Sequence, residues 1–241
     1  MNVSLCQAAA ALNANARLQE IISDNLASGS VPGFKKQEIS FSAVAAATTP
    51  QVLMPSARTS TDFQQGQIRP TGVPTDVAIE GNAFFEVQGP GGATLYTRDG
   101  EFKIDSTGQL VTKQGYAVLS DGGAIQFDMN KPEPITISAD GTVSQGSELK
   151  GQLKLTSFEN PRLLTPVGSN YFSATDPNAI SSTATNASVR QGFLEGSNSS
   201  PVVEMAQLIS AMRQYEANQR VIQAQDDRMG RAISELGNPS T

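Results

Sequence analysis

Apolar positions recur at alternating spacings of three and four along the last forty residues: Met205, Leu208, Met212, Tyr215, Gln219, Ile222, Asp226, Met229, Ile233 and Leu236, with Gln219 and Asp226 as the polar interruptions. This is the seam of a helix that packs lengthwise on other helices. Ser200 is placed to cap its first turn, Pro201 fits a first helical position that needs no donor, and Glu204 lies near the positive end of the dipole. Gly237, Asn238 and Pro239 stop it. A weaker stripe of the same period runs through Leu5, Ala8, Leu12, Asn15, Gln19, Ile22 and Leu26. The pattern predicts helical segments at both ends, residues 1–30 and 200–241, that pair as a coiled coil. A helix over residues 202–236 is about 50 Å long and marginal in water unless its stripe is covered. Periodicity alone leaves two covers open: an intramolecular helical hairpin on a β-domain, or other chains.

Between the helices the pattern becomes short strands and glycine turns, predicting an antiparallel β-domain over residues 76–199. Val77 and Ile79 alternate before Glu80-Gly81-Asn82, with Phe85 and Val87 after it; Leu95-Tyr96-Thr97 and Phe102-Lys103-Ile104 flank Arg98-Asp99-Gly100. Asp105-Ser106-Thr107-Gly108, Lys113-Gln114-Gly115 and Asp140-Gly141 read as further hairpin turns, Gly89-Pro90-Gly91-Gly92 as a hairpin tip, and Leu149–Phe158 as one longer strand. Residues 31–75, rich in Ser, Thr, Ala, Gln and Pro, read as an extended connector with one or two strands. The fold class is α+β: a β-rich antiparallel centre flanked by paired terminal helices.

Charge and composition narrow the chemistry. The net charge of the 241 residues is -6, and Lys35-Lys36, the one adjacent basic pair, reads as a solvated turn, so nucleic acid is not an expected partner. No apolar run approaches the about 20 residues that span a bilayer, and residues 1–16 lack the pattern of a cleaved signal peptide. Cys6, the single cysteine, reads as a small apolar filler and gives no disulfide or cysteine zinc site.

Histidine is absent, which removes the commonest general base and most transition-metal sites. Carboxylate pairs such as Asp99 with Asp105, or Asp121 with Asp128, stay available in principle, but each Asp sits where turns favour that residue. The glycine-rich segment lacks the lysine and following helix of a phosphate loop, and a chain with no tryptophan and 6% aromatics offers few sugar platforms. The expectation is a non-enzyme without metal, cofactor or small-molecule substrate.

Four blocks carry a resemblance. Asp24–Lys36, with Asn25, Leu26, Ala27, Pro32, Gly33, Phe34 and Lys35, is similar to the Asn-Leu-Ala-Asn…Pro-Gly-Phe-Lys signature of flagellar rod and hook proteins. Asp76–Gln88, Tyr96–Leu119, and Gly192–Met205 leading to Tyr215-Glu216-Ala217-Asn218 follow in the same order as in the FlgF/FlgG rod family. Ser28 stands where Asn is usual, and Ser199-Ser200-Pro201 replaces a Val-Asn step.

This resemblance implies a structural subunit of the bacterial flagellar basal-body rod, a helical polymer that crosses the periplasm as the motor's drive shaft and transmits torque to the hook. It implies self and other rod subunits as partners, and export without a cleaved signal through the flagellum's own type III apparatus. Leu5, Leu12, Ile22, Leu26, Met205, Leu208, Met212, Tyr215, Ile222, Met229, Ile233 and Leu236 become the expected assembly interface. The polar positions Asn15, Gln19, Gln219 and Asp226 set register, face the lumen, or lie at the rim of the packed surface. Only 39 residues separate Lys36 from Asp76, and this shortness, with the ending Asp226–Ala232, resembles the proximal, FlgF-like members; the alternative is a distal, FlgG-like subunit. A reading from another class is a secreted β-domain with helical arms that binds surfaces, for which residues 76–198 offer no strong aromatic or basic patch.

Overall fold

The computed structural model describes the backbone of residues 3–46, 49–184 and 186–237, and the side chains of residues 9–42, 57–184, 186–231 and 234. The side chains of Leu5, Cys6, Ile233 and Leu236 lie outside the described residues. The chain is mostly antiparallel β with one N-terminal and one C-terminal helix, and it divides into two compact units.

The first unit gathers Met1–Ala27, Gln37–Thr61 and Ser200–Thr241. It holds α1 (Val3–Ala27), β1 (Gln37–Ala46), β2 (Thr49–Thr61) and α2 (Pro201–Gly237). The start of α2 follows its sequence signal: Pro201 is its first residue, and the Glu204 N–H donates to the Ser200 carbonyl at 2.9 Å. Of the expected stop signal, Asn238 and Pro239 lie outside the described residues. The segment read as a connector separates into two parts. Gln37–Ala46 and Thr49–Thr61 form a two-stranded antiparallel ribbon, paired from Gln37↔Thr61 to Ala45↔Leu53, and α1 lies against this ribbon and against α2. Residues 62–75 belong to the second unit.

Among the described residues, that second unit, Ser28–Lys36 with Asp62–Ser199, carries seventeen short strands. They are β3 (Ile68–Pro70), β4 (Val77–Glu80), β5 (Ala83–Gln88), β6 (Thr94–Thr97), β7 (Phe102–Ile104), β8 (Leu110–Thr112), β9 (Ala117–Ser120) and β10 (Gly123–Ala124). Then come β11 (Ile135–Ile137), β12 (Thr142–Gln145), β13 (Glu148–Gln152), β14 (Leu155–Phe158), β15 (Thr165–Gly168), β16 (Tyr171–Ser173), β17 (Ser181–Thr183), β18 (Ser188–Gln191) and β19 (Phe193–Glu195). The largest sheet runs β15-β16-β6-β5-β9-β8-β7, with β14 on β5, β17 on β14 and β10 on β9. Central β5 is buried on both faces. Ala83, Phe85 and Val87 enter the main core with Val77, Ile79, Phe102, Leu110, Val118, Ile125 and Val143. Phe84, on the opposite face, packs with Phe158, Leu164 and Phe172, edge to face at ring separations of 5.8 and 6.1 Å for the two phenylalanines.

The turns at Gly89–Gly92, Asp105–Gly108, Lys113–Gly115 and Asp140–Gly141 close the hairpins expected of them. Two others do not. β4 cannot pair with β5, whose edges are taken by β6, β9 and β14, and it pairs with β18 instead. β6 lies between β5 and β16 while β7 pairs with β8, so Arg98–Gly100 is a buried crossing and not a hairpin tip. Residues 149–158 are also two strands. Leu153 donates to the Gly141 carbonyl and Lys154 to that of Leu119, and the chain changes sheet there, from β13 on β12 to β14 on β5.

Candidate assembly site

The two ends of the chain present different surfaces. On α2, among residues 201–231, only Glu204, Leu208, Ala211, Tyr215, Asn218, Ile222, Gln225 and Met229 are not exposed. Their spacing alternates four and three, so they form one continuous stripe. Of the predicted seam, Leu208, Tyr215, Ile222 and Met229 lie on this stripe, whereas Met205, Met212, Gln219 and Asp226 are exposed. The other half of the stripe is shifted by one residue, to Glu204, Ala211, Asn218 and Gln225. On α1, Leu12, Asn15, Gln19 and Leu26 are partly covered and Ile22 is 3% exposed.

Displaced from that stripe, Val202, Met205, Ile209 and Met212 form a second apolar row over the first three turns of α2. These four are 73, 47, 54 and 51% exposed. Four large apolar side chains on one exposed helix face are more than a solvated face needs.

The signature after α1 is used structurally. Asn25 is buried, its amide donating to the Gln37 carbonyl at 2.8 Å and accepting from the Gln37 N–H at 2.9 Å, while Leu26 is partly covered and Ala27 exposed. In the turn that follows, the Pro32 carbonyl accepts from Asn170 at 2.9 Å and Phe34 N–H donates to Val31. Gly33 has φ +66°, and a Cβ there would meet the Arg98 carbonyl carbon and the Asp99 nitrogen at 2.4 Å. No other residue meets both demands.

Lys35 is not the solvated residue that its Lys-Lys context predicts. Its ammonium is fully buried and donates to Glu195 Oε1 at 2.5 Å and to the Gln64 carbonyl at 2.7 Å. Arg98 reaches Glu195 Oε2 at 3.2 Å and the Gly81 carbonyl at 2.7 Å, with its guanidinium over the Phe84 ring at 5.0 Å. The Gly66 N–H completes the carboxylate at 2.8 Å. Burial pulls Lys35 and Arg98 below their ordinary pKa values, and the adjacent Glu195 carboxylate opposes that. Lys36, by contrast, is partly exposed and lies 3.5 Å from Asp62.

Two of the carboxylates weighed as acid–base pairs, Asp105 and Asp128, are occupied in turns. Asp105 Oδ1 accepts from the Thr107 N–H, the Thr107 hydroxyl and the Gln109 N–H, and Asp128 Oδ1 accepts from Asn130. Asp99 differs. Burial, with Glu101 and Asp76 nearby, pushes its carboxyl up to about 6 against the opposing pull of the Glu101 N–H and Lys113. A polar cleft lined by residues that include Asn82, Ser157, Ser182, Thr183 and Asn186 has no titratable side chain in its lining. Among the described residues no group of three His, Cys, Asp or Glu could hold a metal.

Comparison with known proteins gives this arrangement a family. Residues 78–145 match the D1 domain of flagellar hook protein FlgE/F/G, and residues 190–235 the C-terminal domain of flagellar basal-body rod FlgEFG proteins. The chain is 36% identical to flagellar basal-body rod protein FlgG of Borreliella burgdorferi, covering 94% of this chain and 96% of that protein. It is 32% identical to FlgF of Caulobacter vibrioides, over 90% and 91% of the two chains, and 32% identical to FlgF of Mesorhizobium japonicum over the whole of both. The chain belongs to the FlgF/FlgG family of flagellar basal-body rod proteins.

Proposed function

We infer that this chain is a structural subunit of the flagellar basal-body rod, joined to copies of itself and to other rod subunits. The observation that carries the assembly reading is the second apolar row on α2. The inward stripe is buried or partly covered within the chain, while Val202, Met205, Ile209 and Met212 remain exposed in a continuous patch. A patch on one side of a long helix that meets a different surface on the next subunit makes a heterologous contact, and heterologous contacts that do not close a ring build a helical filament. In that polymer the inward stripes of α1 and α2 act as a coiled coil, and Leu12, Ile22, Leu26, Leu208, Tyr215, Ile222 and Met229 serve the helix pair from which the outer row projects.

The role is mechanical and not catalytic: torque passes through packed interfaces, and the Asp105 and Asp128 carboxylates are engaged by turn amides. Relatives named FlgF and FlgG match at similar identity. The proximal, FlgF-like position is supported by the short segment between Lys36 and Asp76, most of which folds as the β1–β2 ribbon. The subunit reaches the periplasm-spanning rod through the flagellar export apparatus.

Complementation tests the reading. In a strain lacking this chain, the wild type should restore swimming and rod-bearing basal bodies. A Met205→Lys, Ile209→Lys variant should be made and exported but leave basal bodies without a complete rod. Full swimming from that variant would refute the assigned surface.

A further inference from the structure

The chain passes between its two compact units at residues 27/28, 36/37, 61/62 and 199/200. Three of these four crossings meet at one side chain. Asn198 Oδ1 accepts from the Lys36 N–H at 2.7 Å, and its Nδ2 donates to the Asp62 carbonyl at 2.8 Å and the Gln64 carbonyl at 3.2 Å. Its own N–H donates to the Phe34 carbonyl at 3.3 Å. Around it, the Asp62 N–H donates to the Lys36 carbonyl at 2.9 Å, and the Lys36 ammonium lies 3.5 Å from the Asp62 carboxylate. One amide thus holds the last residue before the β1–β2 ribbon, the first after it, and the chain three residues before α2 begins.

We propose that Asn198 is a mechanical positioning residue: it gathers three covalent connections into a single clamp, so that torsion arriving along any one is shared by the others. This rests on the rod-subunit reading. The chemistry is specific to an amide, because the clamp needs one acceptor and two donors from a planar group. A carboxylate cannot donate and would face the Asp62 and Gln64 carbonyls with its charge. A serine of smaller reach holds one of the three partners at most. Just behind the clamp, the Lys35–Glu195–Arg98 cluster anchors the same segments: Lys35 precedes Lys36, the Gln64 carbonyl receives both Lys35 and Asn198, and the Gly196 N–H donates to Gln67. With that anchor buried, losing the Asn198 bonds loosens the exits without unfolding the β-unit.

Two variants, Asn198→Asp and Asn198→Ser, separate the clamp from folding, with Asn178→Ser, in an exposed turn with Asp176, as control. In the purified chain, amide exchange at Lys36 should rise roughly tenfold or more in Asn198→Ser, and that at Asp62, whose N–H donates to the Lys36 carbonyl, should rise in both clamp variants, while Val87 and Val118 stay protected. In cells, both variants should build rods and swim in dilute medium but fail early as viscosity is raised, and Asn178→Ser should match the wild type throughout. Unchanged exchange at Lys36 and Asp62 would overturn the clamp. Faster exchange with wild-type swimming under viscous load would overturn its mechanical role. Absence of the wild-type chain from purified basal bodies would instead overturn the rod reading, and the load-sharing role with it, leaving the exchange result to report on the clamp alone.

Discussion

Asp99 invites replacement by asparagine. Its carboxyl titrates at about 6 in the folded chain instead of 3.8, chiefly through burial, with Glu101 and Asp76 adding to the rise. The difference makes the ionised form about 3 kcal/mol less favourable on folding than the neutral form. The raised value sets the sign. The stabilising contribution of this group is fully present below pH 3.8 and is lost as pH rises through about 6. An asparagine side chain would be neutral at every pH, and its oxygen can keep the 3.0 Å bond that Asp99 Oδ1 accepts from the Glu101 N–H. Asp99→Asn should therefore be more stable than the wild type by up to about 3 kcal/mol at neutral pH, with the gap closing as the pH falls below about 4. Urea unfolding between about pH 3 and pH 8, followed by near-ultraviolet circular dichroism, tests this; Tyr96, Tyr116 and Tyr171 all report on the β-unit. Groups such as Asp105, Asp140 and Glu148, whose pKa values are lowered, contribute the opposite trend but cancel in the comparison. Parallel stability curves for the two proteins across this range would refute the assignment of a buried, raised carboxyl at Asp99.

Glu195→Gln leaves the buried Lys35 and Arg98 cations without a counter-charge and should cost about 3–5 kcal/mol, whereas Lys35→Met keeps the Arg98–Glu195 pair and should cost less; denaturant melts order the two. Gly100→Ala would place a Cβ 1.7 Å from the Val77 carbonyl oxygen and should cost about 3 kcal/mol or more. Gly115→Ala, at φ +90° with nothing within 4 Å, should cost only about 1 kcal/mol, as thermal unfolding can check. Ala211→Leu crowds the inward stripe and should lower helix stability by about 1–3 kcal/mol, while Met205→Lys should change the free chain by about 0.5 kcal/mol or less and act on assembly instead; far-ultraviolet melts together with sedimentation separate the two effects.

The start of α2 was legible because helix-start chemistry is local: Pro201, whose missing donor suits a first helical position, is its first residue. Its inward face was only half legible. A hydrophobic count cannot distinguish Ala211, 2% exposed, from Met212, 51% exposed, because a small residue lets helices approach closely and the larger apolar neighbour is left on the flank. Strands were visible from alternation, but the partners of β4 and of β6 were not, since pairing depends on which edges of β5 remain free. The pairing of Lys35, Arg98 and Glu195 gave no sequence signal, although each lies in a block that resembles the family. Charged residues are usually solvated, and the two ion pairs join positions 160 and 97 residues apart. Asn198 was hidden for the same reason, its partners lying 134 to 162 residues away.

A photo-reactive amino acid placed at Ile209 in living, flagellated cells tests the central claim most directly. Its side chain is 54% exposed on the outer row of α2, beyond the stripe that the chain covers itself. Irradiation should link this chain to a second copy or to another rod subunit, and the adducts should copurify with basal bodies, while the same probe at exposed Met129 of the β-unit should link less. Adducts confined to single chains, or none in purified basal bodies, would contradict the assignment of this helix face to rod assembly.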